Sequence, residues 1–558
     1  MNKIKLISLI NIILLFLPSC SDFLDDTQKG ILTEDVVKDA YEEALIAAYS
    51  ALGNDHYDKP LSLWPYGTVR SDDAYKGGSG EQDIAAFHFF EVSNNINTEC
   101  GEVDGLWFQC YLGISRANSA IRAITLAEDF TGKNAKIAEA RFIRGHFYFL
   151  LKILFKHIPY IDETVPVGDY GTISNVDLTN DELWQKIADD FQFGVDNLPE
   201  KQKEAGRADK YAAAAYLAKT YLYKAYRQDN KNSHEVTSIN SDDLNKVITN
   251  ANLVIASQYK LEPDFANNFL PGSYENGPES IFAVQYSSDD GTKFGRVNFA
   301  DLLSVPMKLG CCDFLKPSES LVRSFRTKNG LPDFDNYNSD SSFANGRDAR
   351  IFHTVALPGY PYKYNTDLIY DTDWNRNPAT YGIYASLKEN VDPGCDCFIE
   401  MVPFYANTKN RIVIRFADVL LMKAEALIEL HQQNEALNLI NQVRSRAKQS
   451  TNFISYAKGE IGMELYQPGV NCTWDEDFAR KALRWERRLE LAMEGGRFFD
   501  LVRWGNADQT INNYYNVEQS RRAYYTGASF TKNKHEYLPI PEQQIKFSKY
   551  LYEQNPGY

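Results

Sequence analysis

Apolar residues recur at helical spacing in several stretches of the chain. The clearest stretch covers 415–430, where apolar residues return every three or four positions, and a second covers 434–447. Such spacing places apolar side chains on one face of a helix. Only three residues separate the two stretches, so they are predicted to form an antiparallel helical hairpin. The same pattern predicts further helices over 34–52, 106–124, 135–154 and 210–226.

Between the predicted helices lie long segments rich in Gly, Asn, Asp, Pro and Tyr, at 53–100, 262–410 and 449–474. Irregular segments of this length in a compact protein usually carry function. Helical hairpins with alanine at crossing points resemble divergent tetratricopeptide units. The pattern therefore predicts a mainly α fold. Tetratricopeptide-like hairpins form a superhelical scaffold, and the long irregular loops, with a few short strands, carry the ligand site.

The N-terminus has the pattern of a lipoprotein signal peptide. Lys3 and Lys5 precede an apolar run from 6 to 17, and Cys20 follows small residues. The apolar run is shorter than the roughly 20 residues that a helix needs to span a bilayer. We therefore expect cleavage after residue 19 and a lipid anchor on Cys20, which holds the mature chain on a membrane. An uncleaved anchor is the alternative.

Composition limits the class of partner. The chain has a net charge of −16, and removal of Lys3 and Lys5 with residues 1–19 leaves −18. A chain this acidic is repelled by nucleic acid and by anionic lipid, so neither is an expected partner. The 35 Tyr, 32 Phe and 7 Trp supply packing, but they also supply flat surfaces on which sugar rings stack.

Seven cysteines remain besides Cys20, so at least one thiol lacks a partner within the chain. The sequence does not fix the pairing. The candidate pairs are Cys100 with Cys110, Cys311 with Cys312, and Cys395 with Cys397.

Several strings, taken in order, resemble the SusD/RagB family of outer-membrane nutrient-binding lipoproteins. The densest is ERRLELAMEGGRFFDLVRWG at 486–505. The others are LWFQCY at 106–111 with Ile114 and RAN at 116–118, AEARFIR at 138–144, RFADVLLMKAEA at 415–426, INQVRSRA at 440–447 and YLPIP at 537–541. The chain departs from the family at Lys156, where many members have a glycine in the turn after the aromatic residue.

The resemblance implies a domain organisation and a function. It implies a signal peptide at 1–19, an N-terminal SusD-like helical region at 20–260 and a C-terminal SusD/RagB region at 261–558, which includes a helix over 478–505. Family members cover a TonB-dependent barrel transporter of the SusC type and pass it oligosaccharides or, in some branches, peptides. We therefore expect a glycan-binding lipoprotein on the outer face of the outer membrane, with that transporter as its partner. Asp22, Asp25 and Asp26 behind Cys20 loosely match the family's export pattern.

The charged residues of the densest string have two interpretations. Arg487, Glu490, Glu494 and Arg497 are spaced three or four apart, which suits ion pairs along one helix face. We interpret them as structural clamps between helices. The alternative is a catalytic carboxylate pair, but nearby arginines keep both carboxyls ionised, which is wrong for a general acid.

Candidate ligand-binding residues are chosen by type and by position in the long loops. In the first loop, aromatic and charged residues lie within twelve positions of each other: Trp64, Tyr66, Arg70, Asp72, Asp73 and Tyr75. The second loop adds Phe294, Arg296, Trp374 and Tyr381. Aromatic faces would stack on sugar rings, and charged groups would bind hydroxyls. For Trp64 and Tyr66, packing beneath the loop is an equally good interpretation.

Other chemistries have little support in the sequence. The histidines are scattered and no nucleophile elbow or P-loop is present, so neither an enzyme nor a zinc site is expected. No cofactor is expected. The acidic segment around Asp333 and Asp335 leaves a structural calcium ion open, although it matches no EF-hand. Two further functions stay open, a peptide-binding lid of the same family and a surface glycoside hydrolase.

Overall fold

The computed structural model describes residues 40–288, 290–291, 296–339 and 346–558. The signal peptide, the lipidation site Cys20, the first part of the helix predicted over 34–52 and the candidate residue Phe294 lie outside these ranges.

The first half of the chain is a series of packed helices. From the helix that begins at Gly101 onward, each helix contacts the next one along the chain, and the first helix packs on the one that begins at Gly101. Their bounds are α1 Tyr41–Ser50, α2 Ala85–Glu91, α3 Gly101–Leu126, α4 Lys133–Phe155, α5 Asn180–Asn197, α6 Lys210–Ala225 and α7 Ser241–Ile255. The helices predicted over 106–124, 135–154 and 210–226 are confirmed, and α1 confirms the described part of the one over 34–52.

Polar side chains fix where several of these helices begin. Thr179 accepts a hydrogen bond from the Glu182 amide, and the Glu182 carboxylate accepts one from the Thr179 amide, which forms a capping box before α5. Asp209 caps α6 by accepting from the Ala212 amide at 2.8 Å. Asn240 caps α7 in the same way.

The second half repeats the helical pattern around longer loops. Its helices are α8 Glu319–Ser324, α9 Ile351–Thr354, α10 Pro378–Tyr381, α11 Phe416–Glu429, α12 Gln433–Gln449, α13 Glu476–Glu490, α14 Arg497–Arg503, α15 Ala507–Glu518 and α16 Glu542–Phe547. The helices α11 and α12 form the predicted hairpin. The single helix predicted over 478–505 is wrong, because the chain turns between α13 and α14 with positive φ at Met493 and Gly495.

Short strands pair antiparallel within and between the loops. The pairs are β1 Ala74–Gly77 with β5 Phe314–Pro317, β2 Tyr226–Arg227 with β3 Ser238–Ile239, β4 Ser280–Val284 with β14 Arg411–Arg415, β6 Thr327–Lys328 with β7 Leu331–Pro332, β8 Val355–Ala356 with β11 Ala385–Ser386, β9 Pro361–Tyr362 with β10 Asn365–Ile369, and β12 Phe398–Met401 with β13 Phe404–Asn407. The fold is mainly α with a few short strands, as predicted.

One continuous hydrophobic core contains residues from both halves. Four consecutive alanines of α6, Ala212 to Ala215, are fully buried and let neighbouring helices approach closely. A small separate core surrounds Trp374. The predicted boundary between 260 and 261 stays a prediction.

The cysteine pairs are only partly as proposed. Cys311 is bonded to Cys312 and Cys395 to Cys397, whereas Cys100 and Cys110 are free thiols. Pairing Cys100 with Cys110 was wrong for a geometric reason. Ten residues along one helix separate two Cα atoms by roughly 15 Å, and a disulfide requires about 4.4–6.8 Å.

Candidate functional site

The two long loops that were expected to carry function meet in space. Strand β1 of the first loop pairs with β5 of the second, with Tyr75 opposite Lys316. Beyond the strands, the Ser318 amide donates to the Asp73 carbonyl at 2.9 Å. The first loop and the part of the second from residue 296 onward therefore form one unit, which we call the loop body (53–100, 296–339 and 346–410).

Most of the predicted first-loop residues lie inside the loop body. Trp64 is 1% exposed, and its indole N–H donates to the Ala300 carbonyl at 2.9 Å. The Tyr66 hydroxyl donates to the Glu102 carbonyl at 3.4 Å. Arg70 is buried over the ring of Phe498 and donates to the carbonyl of His535. These contacts are those of packing residues.

The two acidic residues of the first loop bind arginines of the C-terminal half. Arg488 lies 3.0 Å from Asp72 and 2.8 Å from Asp73, and Arg497 lies 2.9 Å from Asp72. Both carboxylates are buried. Tyr75 follows them, and its hydroxyl donates to Glu518 at 2.7 Å.

The second-loop candidates are spread out. Trp374 packs between Tyr362 and Tyr370 in the small separate core. Arg296 is half-buried and donates to the Ser50 carbonyl at 2.6 Å, away from the other candidates. Tyr381 lies next to the first loop, with Lys76 5.6 Å from its ring centre. Ligand contact by any of these residues stays a prediction.

Next to Tyr75 lies a row of three rings, of which His88 and Tyr381 are buried and Tyr524 is half-buried. His88 and Tyr524 were not predicted from the sequence. The rings of His88 and Tyr524 are 5.7 Å apart, and Tyr524 is 5.5 Å from Tyr381. Exposed Glu81, Gln82 and Arg376 and half-exposed Asn377 come from the neighbouring loop tips. We call this surface the loop face: His88, Tyr524 and Tyr381 with Glu81, Gln82, Arg376 and Asn377.

A dense set of hydrogen bonds fixes the shape of the loop face. Lys76 donates to the carbonyls of Gly80 at 2.7 Å and of Asp83 at 2.5 Å. Arg376 donates to the Asp83 carboxylate at 3.2 Å, and Asn377 donates to the Ser79 carbonyl at 3.0 Å. The two loop tips are therefore cross-linked before any ligand arrives, which lowers the entropic cost of binding.

Polar atoms in and beside the row of three rings retain unused bonding capacity. The hydroxyl of Tyr381, Nδ1 of His88 and Oε2 of Glu91 are buried and have no hydrogen-bond partner in the described part of the chain. Nδ1 of His88 lies 3.9 Å from Oε2 of Glu91, beyond hydrogen-bond distance.

Two models of known protein families match the chain. The model described as "SusD family" matches residues 278–558, half of the chain. The chain belongs to the SusD family. A second family model, described as "Starch-binding associating with outer membrane", matches residues 23–222.

Relatives of this SusD-family chain match it along nearly its whole length. SusD-like protein P2 of Formosa agariphila is 26% identical over 579 residues and covers all of both chains. A SusD-like carbohydrate binding protein from Bacteroides fragilis has a TM-score of 0.72 at 22% identity, covering 91% of this chain and 98% of its own. A laminarin binding SusD-like protein has a TM-score of 0.64 at 21% identity, covering 93% and 99%.

The densest family string forms the predicted clamps. Glu490 is buried between Arg415 at 2.6 Å, Arg350 at 3.0 Å and Arg446. Glu494 lies 2.9 Å from Arg415 and 2.6 Å from Lys388. The expectation that these charges pair along one helix face was wrong, because their partners lie elsewhere in the chain. Glu490 and Glu494 both pair with Arg415, Arg487 pairs with Asp418 and Asp500, and Arg497 pairs with Asp72.

Electrostatics in this SusD-family chain keep both glutamates charged. Burial alone would raise the pKa of Glu490, but Arg446, Arg415 and Arg350 lower it well below the ordinary value. For Glu494, burial is likewise outweighed by Arg415 and then Lys388, and the pKa is lowered. Neither carboxyl has the raised pKa that a general acid needs.

Across the described ranges, no cluster of three or more His, Cys, Asp or Glu side chains is placed to hold a metal ion. Asp335 pairs with Lys481 at 2.7 Å, and Asp333 lies 3.8 Å from Arg326. In the same ranges, no helix has both the length and the apolar content needed to cross a bilayer.

Proposed function

We propose that this SusD-family protein binds an oligosaccharide or polysaccharide nutrient on the loop face. Family membership carries the proposal, together with full-length relatives whose names specify carbohydrate binding and laminarin binding. The loop face supports it, because aromatic rings there lie beside cationic, amide and acidic side chains on a cross-linked surface.

Binding would combine stacking with hydrogen bonds. The half-buried ring of Tyr524, with the buried ring of His88 packed beside it, offers an apolar face to the C–H groups of a sugar ring. Arg376 and Asn377 offer donors to hydroxyls, and the exposed Glu81 offers acceptors. Tyr381 and Tyr75, which were predicted from the sequence, lie next to these rings. No covalent step is needed.

The test is affinity electrophoresis and calorimetry with a panel of polysaccharides, using the unlipidated chain from Ser21. We expect one glycan to bind, and Tyr524→Ala and Arg376→Ala each to raise its Kd tenfold or more, about 1.4 kcal/mol. Tyr550→Ala is the matched control, because Tyr550 is a 75% exposed tyrosine outside the loop face.

The outcomes separate the alternatives. A glycan whose Kd is unchanged by both loop-face variants would place the site elsewhere in the chain. Binding of peptides in place of any glycan would favour the peptide-binding lid. Release of shorter sugars from a bound glycan would revive the hydrolase, which the buried and ion-paired Glu490 and Glu494 argue against.

We further propose that Cys20 carries lipid and holds the protein on the outer face of the outer membrane, above a TonB-dependent barrel transporter of the SusC type. The signal-peptide pattern and the family description support this location. Cys20→Ala should abolish incorporation of labelled palmitate and release the protein from the membrane fraction. Purification from native membranes should bring down the barrel transporter in a stable complex, and its absence would contradict the partner.

A further inference from the structure

A cavity lies between the helices of the first half and the loop body, apart from the loop face. It has a volume of about 150 Å³ and shares no lining residue with the loop face. Its walls come from α4 (His146, Phe149, Leu150, Ile153), from α6 (Tyr216, Lys219, Tyr223), and from the segments at 61–64, 268–269, 301, 388–389, 409–413 and 493–499. We call it the central cleft.

The central cleft contains polar groups that the protein itself leaves unpaired. Oδ1 of Asn268 and Nε of Arg411 are buried without a hydrogen-bond partner among the described residues. The ammonium group of Lys409, a residue that is 6% exposed, lines the same space and makes no hydrogen bond or ion pair with the described residues. Unpaired buried polar atoms are costly, and two of them beside a lysine that has no partner indicate a site that an occupant satisfies.

The charges around the cavity favour a neutral occupant. Three acidic residues, Asp301, Glu389 and Glu494, line the same space as four basic ones, Lys219, Lys388, Lys409 and Arg411, so the two signs of charge nearly balance. An anion would be repelled by the carboxylates, and a cation would be repelled by the ammonium and guanidinium groups. Neutral hydroxyl groups suit both kinds of lining residue. A hydroxyl can accept a hydrogen bond from Lys409 or Arg411 and donate one to Asn268 Oδ1 or Asp301.

The carboxyl group of Glu389 can also serve as either a donor or an acceptor to a hydroxyl. Burial, and then the nearby Asp301, raises the pKa of Glu389 to about 7. Near neutral pH, its carboxyl therefore exists in both forms, one that donates and one that only accepts.

The remaining walls are aromatic and the space is small. Rings of Trp64, Phe149, Tyr216, Tyr223, Phe269 and Phe499 line the cleft. Its volume is well above the roughly 10–15 Å³ that one water requires and below the roughly 300 Å³ at which drug-sized pockets begin. A neighbouring cleft of about 60 Å³ shares Lys219, Tyr223 and Glu494 with it and extends the space towards Asp418 and Asp500.

We propose that the central cleft binds one neutral, hydroxyl-rich molecule of the size of a single sugar ring, held by Lys409, Asn268 and Arg411 against the aromatic walls. This site is separate from the loop face and does not depend on glycan binding there. It also gives Trp64 a role, because Trp64 was predicted as a ligand contact and lines this cleft.

Calorimetry of the unlipidated chain tests the proposal with glucose, galactose, mannose, fucose, N-acetylglucosamine and myo-inositol, each alone. We expect one of them to bind at 1:1 stoichiometry. Lys409→Met removes the unpaired ammonium and keeps the side-chain length, and Asn268→Leu removes the unpaired oxygen from a different segment. Each should raise the Kd at least tenfold, and the loop-face variant Tyr524→Ala should leave it unchanged.

Two results would overturn the proposal. One is the absence of binding by every compound at millimolar concentration, with a crystal structure of the soaked protein showing only water in the cleft. The other is loss of monosaccharide binding in Tyr524→Ala but not in Lys409→Met, which would place the sugar on the loop face. If one variant does not fold, the other variant and the wild-type crystal structure still decide the matter.

Discussion

Lys156 occupies a backbone position that favours glycine. It follows α4 with a φ of 62° and ψ of −60°, and the His157 amide donates to the Phe155 carbonyl at 2.7 Å across it, which forms a strained γ-turn. The buried Lys156 ammonium donates to the carbonyls of Asn230 at 2.9 Å and of Ser233 at 2.6 Å. With lysine in place of the family's glycine, the turn has a strained backbone but gains two side-chain hydrogen bonds.

Two substitutions separate those contributions. Lys156→Met loses the two hydrogen bonds and keeps the strain, whereas Lys156→Gly loses the bonds and relieves the strain. Strain at such positions costs about 1–3 kcal/mol. We expect both variants to be less stable than the wild type, and Met to be less stable than Gly by about 1–2 kcal/mol in chemical denaturation. A Met variant as stable as the Gly variant would show that the turn is unstrained.

The sequence predicted the location of the site better than its residues. Both long loops do meet, but the identity of Trp64 or Trp374 does not say whether its ring is buried. Asp72 and Asp73 bind Arg488, more than 400 positions later, so local sequence gives no sign of their burial. The loop-face residues His88, Arg376 and Tyr524 were missed for the same reason.

At the level of helices, periodic apolar spacing gave reliable predictions. Helices were missed where signals were present but not used, as at α5, which begins with the capping box of Thr179 and Glu182. The turn between α13 and α14 was missed because residues 486–505 keep a helical charge spacing throughout. Its cause is a tertiary contact, since the Gly495 amide donates to the Thr68 hydroxyl at 3.1 Å.

Gly495 and Gly496 offer a matched pair that tests this turn. Gly495 has a φ of 79°, and a Cβ there would lie 2.5 Å from the Ser62 carbonyl oxygen. Gly496 has a φ of −100°, and a Cβ there meets nothing within 4 Å. We expect Gly495→Ala to lower the free energy of unfolding by about 2–5 kcal/mol, from positive φ and overpacking together.

The control should behave differently. Gly496→Ala should leave the free energy of unfolding within about 1 kcal/mol of the wild type, and a gain is expected because alanine restricts the unfolded chain. Equal losses in the two variants, measured by urea denaturation, would mean that the turn is not held by its contact with the 62–68 segment.

Across the whole molecule, buried ion pairs join the first loop to the C-terminal half. Arg488 and Arg497 bind Asp72, Arg487 binds Asp418 and Asp500 at 2.9 Å, and Arg415 binds Glu279 and Glu490. The Asp72 pairs make this connection, whereas the other pairs hold segments of the C-terminal half to one another. Removing one partner of such a pair leaves a buried charge uncompensated, which is strongly destabilising.

The Asp72 link makes the stability of the whole molecule depend on pH. Burial alone would raise the pKa of Asp72, but Arg488 and then Arg497 lower it from the ordinary 3.8 to about 2. A carboxyl whose pKa is lower in the folded state stabilises the protein above the unfolded pKa, and this stabilisation is lost as the pH falls through the folded pKa. The drop of the pKa from 3.8 to about 2 corresponds to about 2–3 kcal/mol of stability.

Asp72→Asn should therefore lower the free energy of unfolding at pH 7 by at least about 2 kcal/mol, since the variant also leaves Arg497 without its partner. The difference from the wild type should begin to shrink below about pH 4, where Asp72 of the unfolded chain takes up a proton. It should be lost fully only as the pH falls through about 2, where folded Asp72 is protonated as well. Asp129→Asn is the control. That carboxylate is fully exposed, and its ion pair with Lys133 is long, at 3.8 Å, so it contributes little to stability. Urea denaturation from pH 7 to pH 3 measures both. A difference that stays constant over this range would show that Asp72 acts through packing and not through its charge.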